Sequence, residues 1–134
     1  MRASEAVRAL LRSKGCADET VDAGLEGLVA DWERTAAEVS RGYPLGLDDY
    51  LNDLDIRQLL EEALEVALAA EREAVGPRIR AADALMRSLV APREDCLWGE
   101  AVAAREGWTA ERNWWYFSVP RSPGALLSGD LENI

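Results

Sequence analysis

Four aspartates within eight consecutive residues form the densest group of potential metal ligands in the sequence: Asp48, Asp49, Asp53 and Asp55. A calcium-binding EF-hand loop needs oxygen ligands at positions 1, 3, 5 and 12 and a glycine at position 6. A loop that starts at Asp53 has Arg57 at position 5 and no glycine at position 6. Loops that start at Asp48 or Asp49 have a tyrosine or a leucine at position 3, so the spacing predicts no metal site.

The same aspartates lie where helices are predicted to begin, and helix starts favour side chains that accept hydrogen bonds from free backbone N–H groups. They also belong to an acidic segment, because residues 43–76 hold two basic and nine acidic residues and carry −7 of the net charge of −10. Such a field attracts basic proteins, and neighbouring tyrosines could anchor one on contact. Helix capping and partner binding are therefore both open interpretations. The predicted partner-binding residues are Tyr43, Asp48, Asp49, Tyr50, Asp53 and Asp55.

The chain contains no histidine, which removes the commonest general base and metal ligand. Histidine-dependent triads, histidine zinc sites and the di-iron sites of helical bundles are therefore excluded. Glu61, Glu62 and Glu65 could act as acid and base only if their surroundings separated their pKa values, and their spacing instead predicts an exposed helix face. Cys16 and Cys96 lack a motif that would activate a thiol. The sequence thus predicts no catalytic residue, no metal and no cofactor.

Aromatic residues are concentrated near the C-terminus, where four of the five tryptophans follow residue 97. The run WWYFSV predicts an extended segment over 114–119, because aromatic and β-branched residues favour strands. In such a segment Trp114 and Tyr116 would share one face and Trp115 would lie on the other. The segment is predicted to be either a lid packed on the helices or, where a face stays uncovered, an aromatic groove formed by Trp114, Trp115 and Tyr116.

Helical patterns account for most of the remaining chain. Apolar side chains recur every three or four residues between glycines, prolines and caps, which predicts helices over 4–14, 18–41, 47–52, 55–75, 77–90 and 97–105. Residues 120–134 have the proline, glycine and serine content of a loop-like tail. Two questions stay open: whether Gly76-Pro77 kinks or breaks a helix, and whether Gly24 and Gly27 mark a close contact or weak first turns.

These patterns predict an all-α protein, a single-domain bundle of about four or five helices over residues 1–134, with the C-terminal aromatic extended segment packed across it. The N-terminus is too charged for a secretory signal and no apolar run reaches the ~20 residues of a membrane span, so we expect a cytoplasmic protein. The negative charge repels nucleic acids and anionic membranes, and we expect neither as a partner. Fourteen arginines against one lysine suggest a GC-rich bacterial genome.

Three functional hypotheses are compatible with these features. The leading one is a non-enzymatic, small acidic bacterial protein that binds a basic protein partner, in the manner of an immunity protein, an antitoxin or an inhibitor. The alternative is a small-molecule-binding domain or minor enzyme with a pocket between the C-terminal Trp/Tyr segment and the helices. The third is a structural homo-oligomer subunit, for example a homodimer joined through the tryptophan face.

Overall fold

The computed structural model describes residues 3–134, so the first two residues of the predicted domain lie outside the described range. Across the described residues, six α-helices and two short strands form a bundle, which confirms the all-α prediction. The helices are α1 (Glu5–Ser13), α2 (Asp18–Ser40), α3 (Leu47–Val66), α4 (Ala69–Leu89), α5 (Glu100–Glu106) and α6 (Ala125–Leu131). The strands are β1 (Val90–Pro92) and β2 (Ser118–Pro120). From residue 3 onward, no helix is both long enough and apolar enough to cross a membrane.

Helix α2 contains a kink at Gly24, where φ is 60° and ψ is −143°. A β-carbon on Gly24 would lie 2.6 Å from the β-carbon of Ala3, so the chain before α1 approaches this turn closely. The positive φ and the contact both favour glycine at this position. At Gly27 a β-carbon would meet only Ala23 of the same helix. The close-contact interpretation is therefore confirmed at Gly24 alone.

The break between α3 and α4 lies at residues 67 and 68, not at the predicted position. Arg72 donates a 2.6 Å hydrogen bond from Nη1 to the carbonyl oxygen of Ala67, which satisfies a free acceptor after α3. Glu71 accepts the backbone N–H of Leu68 at 3.0 Å and so caps α4. Side chains rather than glycine or proline therefore end one helix and start the next. The predicted helices 47–52 and 55–75 are accordingly replaced by α3 and the first turns of α4.

Helix α4 runs through Gly76-Pro77 without interruption, which answers the question of a break. Proline inside a helix removes one backbone hydrogen bond and costs about 3 kcal/mol. Pro77 lies on the exposed side of α4, whereas Val75 and Ile79 are buried. The burial of this apolar stripe offsets the local cost.

The predicted extended segment over 114–119 is wrong for its first half. Trp114–Tyr116 form one 3₁₀ turn, which the backbone N–H of Tyr116 closes by donating to the carbonyl oxygen of Asn113 at 2.9 Å. Strand β2 follows and pairs antiparallel with β1, with Ala91 opposite Val119. Because a turn does not alternate its side chains, Trp115, Tyr116 and Phe117 are all buried. The aromatic run therefore packs as one block against the helices.

The predicted loop-like tail contains α6, which packs Leu127 fully into the core. Asp130 of α6 accepts the backbone N–H of Leu47 at 2.9 Å and so supplies the cap of α3 from 83 residues away. A β-carbon on Gly46 would lie 2.7 Å from the same carboxylate, which explains the glycine.

Helix α5 begins at Glu100 rather than at the predicted residue 97, because Gly99 has a φ of 100°.

Candidate functional site

The tyrosines predicted to bind a partner lie inside the bundle. Tyr43 and Tyr50 are both 0% exposed, and their rings pack edge to face at 5.1 Å. The Tyr43 hydroxyl donates a 2.5 Å hydrogen bond to Oδ2 of Asp53. Burial, followed by this hydrogen bond, raises the pKa of Tyr43. The expectation that these rings are available at the surface is wrong, because their large apolar area contributes to the core.

Asp53 and Asp55 hold aromatic side chains rather than capping a helix. Oδ1 of Asp55 accepts the hydroxyl of Tyr116 at 2.5 Å and Nε1 of Trp98 at 2.9 Å. Both aspartates lie in the interior of α3, where no free N–H groups need a cap. The capping prediction is therefore wrong for these two residues, and their carboxylates are already engaged within the protein.

Asp48 and Asp49 are exposed in the first turn of α3. Their charge complements the positive end of the helix dipole, as carboxylates at a helix start commonly do. Neither side chain forms the cap itself, because Asp130 accepts the free N–H of Leu47. Their role in binding a partner stays a prediction.

An acidic concavity of about 290 Å³ opens between the second half of α3 and the residues that end and follow α5. Its carboxylates come from Glu61, Glu62, Glu65 and Glu106. Gln58, Gly107, Trp108, Arg112 and Asn113 complete the lining. Four carboxylates and one guanidinium therefore line the concavity. The α3 glutamates, predicted to lie on an exposed helix face, form one wall of this concavity, where Glu65 is exposed and Glu61 and Glu62 are half-buried.

Three of the glutamates already bind cationic side chains of this chain, and in the third pair Nε of Arg105 lies 3.3 Å from Oε1 of Glu106. Nζ of Lys14 lies 2.7 Å from Oε1 of Glu62, and Nη1 of Arg57 lies 2.9 Å from Oε1 of Glu61. The hydrogen bond to Glu62 raises the pKa of Lys14. Glu65 forms no ion pair with any residue of the described chain. Among the four glutamates, Glu65 therefore keeps its full acceptor capacity, whereas the other three already have a cationic partner.

Trp108 forms the opposite wall of the acidic concavity, and contacts of Tyr116 and Asn113 fix this part of the chain. Trp108 stacks on Tyr116 with ring centroids 4.1 Å apart and planes at 18°. Asn113, which is buried, donates to Oε1 of Gln58 at 2.8 Å and accepts the backbone N–H of Thr109 at 3.0 Å. These contacts hold Trp108, Asn113 and Gln58 in place without a ligand.

The predicted aromatic groove is only partly formed. Trp115 and Tyr116 are each 1% exposed, so neither ring offers a binding surface. The guanidinium of Arg57 lies 4.3 Å from the ring centre of Trp115 and binds Asp83 through two hydrogen bonds of 3.0 Å. Trp114 is half-buried and lines a separate cavity. Of the three predicted residues, Trp114 alone reaches a cavity.

Sequence reasoning missed the residues that complete the acidic concavity. Glu106 and Trp108 lie more than 40 positions after Glu65, and no local pattern links them to α3. The break at Gly107, where φ is 74°, was the only signal, since it turns the chain back at the end of α5. The meeting of these residues is a tertiary contact.

Metal binding and thiol chemistry depend on how the described carboxylates and cysteines are placed. Among residues 3–134, no group of three or more histidine, cysteine, aspartate or glutamate side chains is placed to hold a metal ion. Burial raises the pKa of Cys16 and of Cys96, which disfavours the reactive thiolate. The chain matches no protein-family model, no curated protein and no solved structure.

Proposed function

We propose that this is a non-enzymatic binding protein whose acidic concavity receives a lysine or arginine side chain of a basic protein partner. The observation that carries the proposal is the convergence of four glutamates on one concavity of about 290 Å³ beside an aromatic wall. Charges in a concavity attract a counter-ion more strongly than charges on a flat surface, because less water screens them. Clefts lined by one sign of charge also accelerate the encounter with an oppositely charged partner.

The concavity has the parts that recognise a cationic side chain. Lys14 shows the ion pair that an incoming ammonium would form, at 2.7 Å from Glu62. Glu65 supplies two further carboxylate oxygens, and Glu106 supplies the oxygen that its pair with Arg105 does not use; both suit the fixed donors of a guanidinium. The Trp108 ring can add a cation–π contact with either group. Its stacking on Tyr116 reduces the entropy lost on binding.

The rest of the acidic segment fits a partner that is basic over a wide area. Asp48 and Asp49 extend the negative surface along α3, where they would steer the partner rather than contact the inserted side chain. On this proposal the chain is a small cytoplasmic bacterial protein that acts in the manner of an immunity protein, an antitoxin or an inhibitor. It would bind by covering a basic surface.

Titration of a fluorescein-labelled peptide of alternating glycine and arginine tests the proposal. The site variant is Glu65→Gln with Glu106→Gln, and the control is Glu73→Gln with Glu132→Gln, two exposed glutamates outside the concavity. Both double variants lose the same charge. We expect the site variant to weaken binding about fivefold to tenfold and the control by less than about twofold.

Added salt should weaken the binding of the peptide to the wild-type protein, because ions screen a steered charge pair. Equal weakening by both double variants would show that the peptide senses only the net charge, and the proposal would fail. Binding that does not change with salt would count against it as well.

A further inference from the structure

A second face of the molecule has the opposite charge. Four arginines lie there: Arg41, Arg87, Arg93 and Arg121. Three of them line a cavity of about 290 Å³ beside Trp114 and Phe117. Arg121 also lines a second cavity of about 490 Å³ together with Arg41. We refer to the two cavities that share Arg121 as the arginine cleft.

The arginine cleft lacks counter-ions. Although the chain holds 25 acidic residues, no carboxylate is among the described residues that line either cavity. Within residues 3–134, none of the four cleft arginines forms an ion pair, whereas Arg8, Arg57 and Arg78 each pair with an aspartate or glutamate. A bound anion would supply the counter-charge that the lining of these cavities lacks.

Helix dipoles explain the positions of only two of the four cleft arginines. Arg41 and Arg87 lie at the C-terminal ends of α2 and α4, where cations are favourable. Arg93 and Arg121 instead flank the two strands. The backbone N–H of Arg93 donates to the carbonyl oxygen of Phe117 at 2.9 Å, and that of Arg121 donates to Leu89 at 2.9 Å. The sheet, rather than a helix dipole, sets the positions of these two residues.

The side chains of the cleft are partly organised in advance. The guanidinium of Arg87 lies 4.4 Å from the ring centre of Trp114. Trp114 in turn packs against Trp115, with ring centroids 5.6 Å apart. A guanidinium that is supported by an aromatic ring loses less entropy when it binds a ligand.

Serine hydroxyls line the larger cavity. Ser40 and Ser88 each donate a 2.6 Å hydrogen bond to a carbonyl oxygen of their own helix, at Ala37 and Leu85. Their protons are thereby committed, so each hydroxyl oxygen offers an acceptor. Ser122 adds a third hydroxyl to the same cavity. These groups suit a ligand that carries hydroxyl donors.

We propose that the arginine cleft binds a small phosphate monoester that carries hydroxyl groups, such as a sugar phosphate. A phosphoryl group near neutral pH carries close to two negative charges and three acceptor oxygens, which match several guanidinium groups. A single carboxylate would leave most of the arginines without a partner. The hydroxyl-bearing part of the ligand would meet the serines of the larger cavity. This site is separate from the acidic concavity, and neither proposal depends on the other.

Isothermal titration calorimetry of the full chain with glucose 6-phosphate, glucose and inorganic phosphate tests this site. We expect glucose 6-phosphate to bind in about the micromolar to millimolar range, inorganic phosphate to bind more weakly and glucose not to bind. The variant Arg93→Gln with Arg121→Gln should lower the affinity for glucose 6-phosphate about tenfold or more, because both groups would contact the phosphoryl oxygens. Arg12→Gln with Arg80→Gln, two exposed arginines outside the cleft, is the charge-matched control and should change it less than about twofold.

A further variant separates the two parts of the ligand. Ser88→Ala removes an exposed hydroxyl and should weaken glucose 6-phosphate while leaving inorganic phosphate unchanged. The proposal is overturned if glucose 6-phosphate produces no heat up to about 10 mM. It is overturned as well if the control variant loses as much affinity as the cleft variant, or if inorganic phosphate binds as tightly as glucose 6-phosphate.

Discussion

The acidic concavity and the smaller cavity of the arginine cleft share one aromatic segment, residues 108–118. Trp108 and Asn113 line the acidic concavity, whereas Trp114 and Phe117 line the arginine cleft. Helix α3 supplies carboxylates on one side, and the ends of α4, β1 and β2 supply guanidinium groups on the other. The segment therefore contributes a wall to the acidic concavity and to the smaller cavity of the cleft, and the neighbouring elements supply the charged groups. A net charge of −10 conceals a basic site, because net charge averages over surfaces that ligands meet separately.

The arginines near these regions also differ in how their charge is satisfied. Arg57 is 5% exposed and contacts Asp83, Glu61 and Trp115 at the same time. Within the described chain, Arg121 is exposed and has no ion pair. A buried and fully paired guanidinium contributes to the fold, whereas an unpaired one in a cavity is available to a ligand.

The largest effect that we predict is the loss of stability in Arg57→Ala. Removing one partner of a buried pair leaves Asp83 without its main counter-charge and costs about 3 kcal/mol or more of the free energy of unfolding. Urea unfolding followed by circular dichroism measures the change. The matched variant Arg121→Ala should change it by less than about 0.5 kcal/mol. Similar losses in the two variants would contradict the distinction between the two kinds of arginine.

The second prediction concerns Asp55, which supports the aromatic wall of the acidic concavity from behind. Asp55→Ala leaves the buried hydroxyl of Tyr116 without an acceptor, which costs about 1–3 kcal/mol of unfolding free energy. The looser stack should also weaken binding of the arginine peptide. Affinity for glucose 6-phosphate should stay unchanged, because the other side of the aromatic segment does not use Asp55. Asp49→Ala, at an exposed position, is the control for stability and should cost less than about 1 kcal/mol.

Local patterns were enough to predict the helical content, because a helix repeats its apolar residues within a few positions of each other. They were not enough to place the break between α3 and α4, where Arg72 and Glu71 provide the terminating hydrogen bonds. Alanine and leucine at the break favour helix, so propensity pointed the other way. The prediction of an extended aromatic segment was wrong for a related reason. Its strand propensity was overridden by a turn that buries Trp115 and Tyr116 together.

The two sites differ in how far the sequence could reveal them. The acidic segment is contiguous and Glu65 lies on the exposed helix face that its spacing predicts, but the sequence could not show that Tyr43 points inward. The arginine cleft joins Arg93 to Arg121 through strands of three residues each, and both strands contain proline. Strands this short carry no alternating pattern. Nothing in the local sequence could therefore have predicted that these two arginines line one cavity.

The third prediction is that each site responds only to its own substitutions. The variant Glu65→Gln with Glu106→Gln should leave the affinity for glucose 6-phosphate within about twofold of wild type, since the two sites are separated by the aromatic segment. The variant Arg93→Gln with Arg121→Gln should likewise leave peptide binding nearly unchanged. Titration of both ligands against both variants gives four affinities. Loss of both affinities in either variant would show that the sites are one surface.

The smallest predicted effect is a pH dependence of stability. It distinguishes carboxylates that the fold holds inside from those in the acidic concavity. Burial raises the pKa of Asp53 above its ordinary value of 3.8. Its stabilising contribution is then fully present below that pH and is lost as the pH rises through the folded pKa. The pKa of Glu71 is shifted in the opposite direction, downward. Burial raises its pKa, but hydrogen bonds from Ser4 and Leu68 outweigh burial and hold the pKa below 4.5. Its contribution is lost as the pH falls through the folded pKa.

Urea unfolding of Asp53→Asn and Glu71→Gln between about pH 3 and pH 7 checks these signs. Relative to Asp53→Asn, the wild-type protein should lose stability as the pH rises above 3.8. Relative to Glu71→Gln, it should gain stability as the pH rises through the acid range. Glu65→Gln, in the acidic concavity, provides the comparison for a carboxylate without an internal partner. If Asp53→Asn and Glu71→Gln gave slopes of the same sign, burial and hydrogen bonding could not be setting the two pKa values in opposite directions.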